Sequence, residues 1–282
     1  IWIFSYRAAP IQINYLGYPG TLGVTYMDYI LADHILIPDV MRNDYLEKIA
    51  YLPDSYQPND RQRKISDKIF TRKELGLPET GFIFCCFNNN FKILPSDFDG
   101  WMRILDSVKG SVLWLFKDND LVVENLRSEA LKCGIDPGRL IFAERMPLSE
   151  HLARHRLADL FIDTTPYNAH TTSSDALWAG IPVLTQLGNA FAGRVAASLL
   201  NAVGLPELVT YSQQEYEALA IDLAHNPEKL KVIKDKLNRD LLISPLFNTP
   251  IFVKNLEDIY KEMYSRYQAD LPPDHLRFSD AT

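Results

Sequence analysis

From Gly81 onward the chain alternates short apolar runs with amphipathic ones. The apolar runs are FIFCCF (82–87), SVLWLF (111–116), RLIFAE (139–144), LFIDT (160–164), PVLTQ (182–186) and ELVT (207–210). Each is short and mostly apolar on both faces, as expected of strands buried between helix layers. Helical patterns lie between them, at about 97–107, 121–134, 149–158, 172–179, 193–203 and 213–224. Such β-α steps, repeating at intervals of roughly 20–30 residues, predict an α/β fold with a doubly wound parallel sheet. Ser149 and Ser212 fall where helix N-caps are expected, and Ser212 with Glu215 has the capping-box spacing.

The first eighty residues follow another pattern. IQINYL (11–16) and YILADHIL (29–36) are strand-like, separated by the turn-rich Gly17-Tyr18-Pro19-Gly20-Thr21. A helix is expected around 38–50 and a polar linker over 54–68. These pieces do not complete a sheet and read as the trailing edge of a preceding lobe. Beyond the strand-helix array, 228–244 and 250–267 read as two helices, and the Pro- and Asp-containing tail 271–282 as frayed. The expected division is a partial N-terminal lobe with linker (1–75), a complete Rossmann-like lobe (76–249), and a C-terminal helix and tail (250–282).

Composition narrows the function classes. The 282 residues are 47% hydrophobic, ordinary for a globular chain, and the net charge of -7 argues against a nucleic-acid or anionic-membrane partner. No apolar run reaches the roughly 18 residues that span a bilayer. The start Ile1-Trp2-Ile3-Phe4 has neither basic flank nor cleavage site, and the absence of Met points to a fragment or a processed product. The three cysteines, Cys85, Cys86 and Cys133, have no zinc or disulfide spacing, so a reducing compartment, by default the cytoplasm, is expected.

In an open parallel sheet, ligands bind outside the carboxyl ends of the strands. After 82–87 comes Asn88-Asn89-Asn90-Phe91-Lys92, where a lysine can meet a diphosphate and the amides a base, ribose or phosphate. The same segment also fits a solvated loop. After 160–164 come Thr165-Pro166-Tyr167-Asn168-Ala169-His170-Thr171-Thr172-Ser173-Ser174-Asp175, with a helix expected to start near Thr172. His170, Thr171 and Thr172 thus crowd a helix N-terminus, where free amides and the dipole favour an anion. Asp175 is in reach of a ribose hydroxyl, although alone the segment is equally a Ser/Thr cap with an acid complementing the dipole. A lysine at the neighbouring strand end tips the balance towards the anion site.

A third segment, 146–154, puts His151 and Arg154 on one helix face, beside a base or facing solvent; His155 and Arg156 read as helix surface. Asp118-Asn119-Asp120 has a metal-like spacing, but it precedes a helix that wants acidic residues anyway, and no metal is assigned. No Gly-rich dinucleotide fingerprint occurs, which disfavours NAD and FAD. Cys85 and Cys86 read as core.

Taken together, LGYPGT (16–21), FNNNFKI (87–93), NAHTTSSDALWAG (168–180), RVAAS (194–198) and SPLFNT (244–249) resemble the C-terminal catalytic region of the O-GlcNAc transferase/SPINDLY family, in a bacterial form. The resemblance implies a GT-B fold and an inverting, metal-independent transfer from a nucleotide sugar. It matches Lys92 to the lysine stabilising the diphosphate leaving group. His170, Thr171 and Thr172 match the diphosphate contacts, Asp175 the ribose contact, and His151 and Arg154 positions beside the uridine. Gly17 and Pro19 match a loop of the first lobe that approaches the sugar, and Asn89 stands where animal enzymes carry a nucleotide-contacting glutamine. Leu148 replaces a base-contacting lysine, and Tyr167 a cysteine.

The implied donor is UDP-GlcNAc and the implied acceptor a protein Ser/Thr hydroxyl, presented by tetratricopeptide repeats upstream of this chain. GDP-fucose or a UDP-hexose as donor, a small or glycan acceptor, and an inactive nucleotide-binding module are the alternatives. The family's acceptor-side histidines are not matched. His34 is the only histidine before residue 151 and lacks the local motif, so no general base is assigned. The chain is expected to be the C-terminal part of a longer enzyme.

Overall fold

The computed structural model describes residues 2–277. In it the strands are β1 (Ile13–Asn14), β2 (Tyr29–Ala32), β3 (Lys48–Tyr51), β4 (Ile83–Cys86), β5 (Val112–Phe116), β6 (Leu140–Ala143), β7 (Leu160–Ile162), β8 (Val183–Gln186), β9 (Val209–Thr210) and β10 (Leu276–Arg277). They form two parallel sheets, ordered β1-β2-β3-β10 and β6-β5-β4-β7-β8-β9. The larger sheet runs outward from β4 in one direction and from β7 in the other, with Phe84 opposite Leu160 at the join. This is the doubly wound order expected from the β-α alternation, and β4 and β7 flank its switch point.

Helices α1 (Pro95–Ser107), α2 (Asp120–Lys132), α3 (Leu148–Arg154), α4 (Thr171–Trp178), α5 (Val195–Val203) and α6 (Gln213–His225) connect these strands; α7 (Pro227–Asp240) and α8 (Thr249–Gln268) follow. Local chemistry sets several ends. The Asn119 side chain accepts from Val122 N at 3.0 Å and caps α2, a structural use of the Asp118-Asn119-Asp120 stretch. Ser212 caps α6 by accepting from Glu215 N, and the Glu215 carboxylate returns to Tyr211 N. Ser149 is not a cap: α3 starts at Leu148, with Pro147 in the capping position and no side-chain cap. Gly204 ends α5 at φ 83°, a left-handed position where a side chain would be strained. No helix among the described residues is long and apolar enough to cross a membrane.

Two expectations for the flanks fail. Residues 38–50 are a short 3-10 helix (Asp39–Asp44) followed by β3, not one helix. The run Lys48-Ile49-Ala50-Tyr51 is apolar enough to serve as an inner strand, and pairing with β2 decides it. The polar stretch 54–68 does run from one sheet to the other, and it is packed: Ser55, Tyr56, Gln57 and Asn59 are all buried. The tail is ordered as far as Arg277: Leu276 pairs opposite Ala50 in β3, and residues 278–282 lie outside the described ones. α8 buries Ile259 and Met263 against Tyr29, Leu31, Ala50 and Leu276, so the last helix covers the first sheet. The other face of that sheet, including Ile30, Ile49 and Tyr51, belongs to the same core as the large sheet.

Candidate functional site

The loops leaving β4 and β7 meet at the switch point, and the expected anion-binding residues sit on them. Lys92 is half-buried; its ammonium donates to Asn168 O at 2.8 Å and lies 4.1 Å from the centre of the Tyr167 ring. Burial lowers its pKa, and the Asp163 carboxylate acts against that. One charge-assisted hydrogen bond leaves most of the ammonium's donor capacity for a ligand.

α4 begins at Thr171, with His170 as its N-cap. The first intrahelical bond runs from Ser174 N to His170 O at 3.1 Å, so the preceding amides are free for an anion. Thr172 Oγ1 donates to Asn88 Oδ1, which ties the helix to the loop after β4. Thr171 is exposed. His170 stacks on Tyr167, with ring centroids 4.9 Å apart, and its Nε2 lies 3.1 Å from Ala192 O. A carbonyl only accepts, so Nε2 carries the proton. Burial pushes the His170 pKa down to about 4, which leaves the imidazole neutral at pH 7. Tyr167, placed between Lys92 and His170, is thus part of the site's floor.

The residue that organises both loops escaped the sequence reading. Asp163 is buried at the end of β7; its Oδ1 accepts from Ala169 N (2.6 Å), Thr164 N (2.8 Å) and Asn88 Nδ2 (3.2 Å). Its Oδ2 accepts from Thr185 Oγ1 at 2.7 Å, in β8. An acidic residue ending the apolar run LFIDT was the available signal.

Asn89, His151 and Arg154 gather on one cavity of about 250 Å³, which Phe87, Phe116, Arg145, Met146 and Leu148 also line. Arg154 does not face solvent. It is 1% exposed, donates to Glu144 O at 2.6 Å, and lies over the Phe87 ring at 5.1 Å. Its Nε and Nη2 have no partner among the described residues. His155, expected on the surface, is fully buried edge-on to Phe87 and His151, because α3 turns this face onto the sheet; Arg156 is exposed as expected. Burial, then His155 and Arg154, depress the His151 pKa, so this wall presents a neutral imidazole. A cavity of this size is below the roughly 300–1,000 Å³ of whole-ligand sites and suits one flat ring.

Gly17 and Pro19 stand on the loop after β1. Asn14 Nδ2 holds its base by donating to Gly20 O at 2.8 Å, and buried Glu47 accepts from Leu22 N at 2.7 Å. Neighbouring Leu16 lines a second cavity, of about 310 Å³, with His170, Thr171 and Arg63, so this loop closes over the start of α4. Asp175 is buried in α4 and forms an ion pair with Arg63 Nη1. His34 stacks on Tyr51 at 4.0 Å and lines a separate cavity of about 510 Å³, the largest of the three. That cavity touches none of the expected donor residues. Its Asp33, Asp54 and Asp240, with the carboxyl end of α5, disfavour an anion.

The profile of glycosyl transferase family 41 matches residues 2–69 and 59–256. The chain is 39% identical over 281 residues to the probable UDP-N-acetylglucosamine–peptide N-acetylglucosaminyltransferase SEC of Arabidopsis thaliana, over 98% of this chain and 29% of that protein. It is 27% identical to the Caenorhabditis elegans UDP-N-acetylglucosamine–peptide N-acetylglucosaminyltransferase, over 97% of this chain and 33% of that one. A solved O-GlcNAc transferase mutant from Thermobaculum terrenum superposes with a TM-score of 0.84 at 31% identity, covering 93% of this chain and 49% of that chain. Anabaena HepE, solved with UDP and glucose, shares the fold alone, with a TM-score of 0.57 at 16% identity over 85% of this chain and 64% of that one. The chain therefore spans a third or less of the curated relatives' length. Its architecture is of the GT-B type, and the chain belongs to glycosyl transferase family 41.

Proposed function

We propose that this chain is the donor-binding C-terminal part of an inverting, metal-independent glycosyltransferase that moves GlcNAc from UDP-GlcNAc onto Ser and Thr hydroxyls of proteins. The observation that carries the reading is the convergence of Lys92, His170 and the first amides of α4 at the switch point of the large sheet. A diphosphate there meets one full cation and the positive end of a helix. In the transfer, the acceptor oxygen bonds to the anomeric carbon while the bond from that carbon to the β-phosphate oxygen breaks. The electron pair leaves with the phosphate, and Lys92 and the helix amides stabilise the charge that builds there. They take the part a divalent cation plays elsewhere. The acceptor proton passes to a base outside the residues assigned in this chain.

The cavity around His151, Asn89 and Arg154 is the proposed base site, with Asp175 at the ribose, Thr171 and Thr172 at the diphosphate, and Gly17 and Pro19 at the sugar. Its one-ring size favours a pyrimidine. Calorimetric titration is expected to give UDP at least about tenfold tighter than GDP, a difference of about 1.4 kcal/mol; equal affinities would overturn the choice of base. The relatives' names support the donor and the peptide acceptor. The tetratricopeptide repeats, the division into a partial first lobe with linker (1–75), a Rossmann-like lobe (76–249) and a C-terminal helix and tail (250–282), and a cytoplasmic setting belong to the same proposal. Free thiols at Cys85, Cys86 and Cys133 fit a reducing compartment.

His170 gives a test of the phosphate end. Burial holds its pKa down at about 4, and the negative charge of a diphosphate beside it raises that value. Binding of UDP-GlcNAc is then expected to take up protons and to strengthen as pH falls from 8 towards about 6. Titrations in buffers of different ionisation enthalpy read this uptake directly. His170→Gln should abolish it; uptake that persists in this variant would move the proton elsewhere.

A further inference from the structure

The stretch 52–82 connects the two sheets, and one turn of it is laced to α4. Gln57 Nε2 donates to Ser174 Oγ at 2.7 Å, and Trp178 Nε1 donates to Arg63 O at 3.1 Å. Arg63 Nη1 is paired with Asp175. Trp178 lies four residues after Ser174 and three after Asp175, so it shares a helix face with each. The Arg63 side chain is 16% exposed, and among the described residues its Nε and Nη2 have no partner, so there Asp175 alone holds the guanidinium. Arg63 also lines the cavity that His170 and Thr171 border.

We propose that Arg63 is a positioning residue of the donor site: carried on the connector, it holds Asp175 as an oriented carboxylate for the ribose hydroxyls. Recognition of the nucleoside then depends on the connector staying docked on α4. This inference rests on the donor-site reading above. Burial raises the Asp175 pKa and Arg63 opposes the rise. Arg63 is the charged group acting on Asp175 among the described residues; α3, α5 and β8, which pack on α4, contribute no other. A neutral residue at position 63 leaves a buried carboxyl that protonates more readily and accepts ribose hydroxyls less well.

The test titrates the wild-type chain, Arg63→Gln, Arg63→Lys, Asp175→Asn and the Gln/Asn double variant with UDP and with inorganic pyrophosphate, across about pH 5.5–8. Arg63→Gln is expected to weaken UDP about tenfold and pyrophosphate less than about twofold. Relative to wild type, its UDP affinity should fail at a higher pH on acidification. Arg63→Lys should restore most of the affinity, and in the Asp175→Asn background Arg63→Gln should cost nothing further. Equal losses for both ligands, an unshifted pH profile, or additive effects in the double variant would overturn the proposal. Should Arg63→Gln not fold, Asp175→Asn carries the same readout, and unchanged UDP binding in it overturns the idea. Wild-type chain that binds no UDP sinks the donor-site reading as well; wild-type binding that ignores Arg63 sinks this inference alone.

Discussion

Lys92→Ala is expected to lower transfer by the full-length protein about 10²–10³-fold, with most of the loss in kcat. The charge on the β-phosphate grows as the glycosidic bond breaks, so a cation beside it does more for the transition state than for the bound donor. UDP affinity of the chain should fall by a smaller factor, about tenfold, because the α4 amides and His170 remain. Stability should barely change. The ammonium makes one hydrogen bond, to Asn168 O, and burial already lowers its pKa, so removing it also removes a desolvation cost. Lys92→Arg is no conservative rescue, since the planar guanidinium must fit where a point charge sits over Tyr167. Transfer rates for donor at saturation, set against thermal midpoints, check this. A kcat that survives in Lys92→Ala while the fold is intact refutes the leaving-group role.

The large sheet was legible because its strands are short and apolar on both faces and alternate with amphipathic helices, the pattern of parallel strands buried between helix layers. The loops after β4 and β7 were legible for the complementary reason, as polar stretches directly following apolar runs. What failed lies where tertiary pairing overrides local pattern. Residues 45–51 alternate in a way compatible with helix or strand, and β2 decides for strand. Two residues at 276–277 form β10 only because the edge of β3 is open to them. Gln57, Asn59 and Arg63 looked like linker because polarity usually means solvent; their partners Ser174, Leu246 O and Asp175 lie over 100 residues away. His155 was misplaced on the surface for the same reason. It is buried beside Arg154, and backbone carbonyls (His151 O for His155, Glu144 O for Arg154) and the Phe87 ring replace water.

Asp163→Ala is expected to cost on the order of 4 kcal/mol, enough to lower the thermal midpoint by roughly 10 °C. The loss comes from donors left behind: the amides of Thr164 and Ala169, the Asn88 amide and the Thr185 hydroxyl all converge on this carboxylate. Asp163→Asn keeps an acceptor for the amides and should cost far less, which separates the hydrogen bonds from the charge. The charge has its own signature. Burial pushes the Asp163 pKa from 3.8 up to about 6, against the pull of its hydrogen bonds and of Lys92. The folded state therefore binds this proton more tightly than the unfolded chain does. Its contribution is fully present below about pH 3.8 and is lost as pH rises through about 6. Wild type should lose stability relative to Asp163→Asn over that window, by on the order of 2–3 kcal/mol, and run parallel to it above. Parallel curves throughout would mean that the carboxylate is not titrating there. The same substitution reaches the chemistry, because Asp163 helps keep the half-buried Lys92 protonated. In Asp163→Asn the alkaline limb of the transfer profile should move to lower pH while the fold persists. That shift ties the group that shapes both loops to the cation that one of them carries.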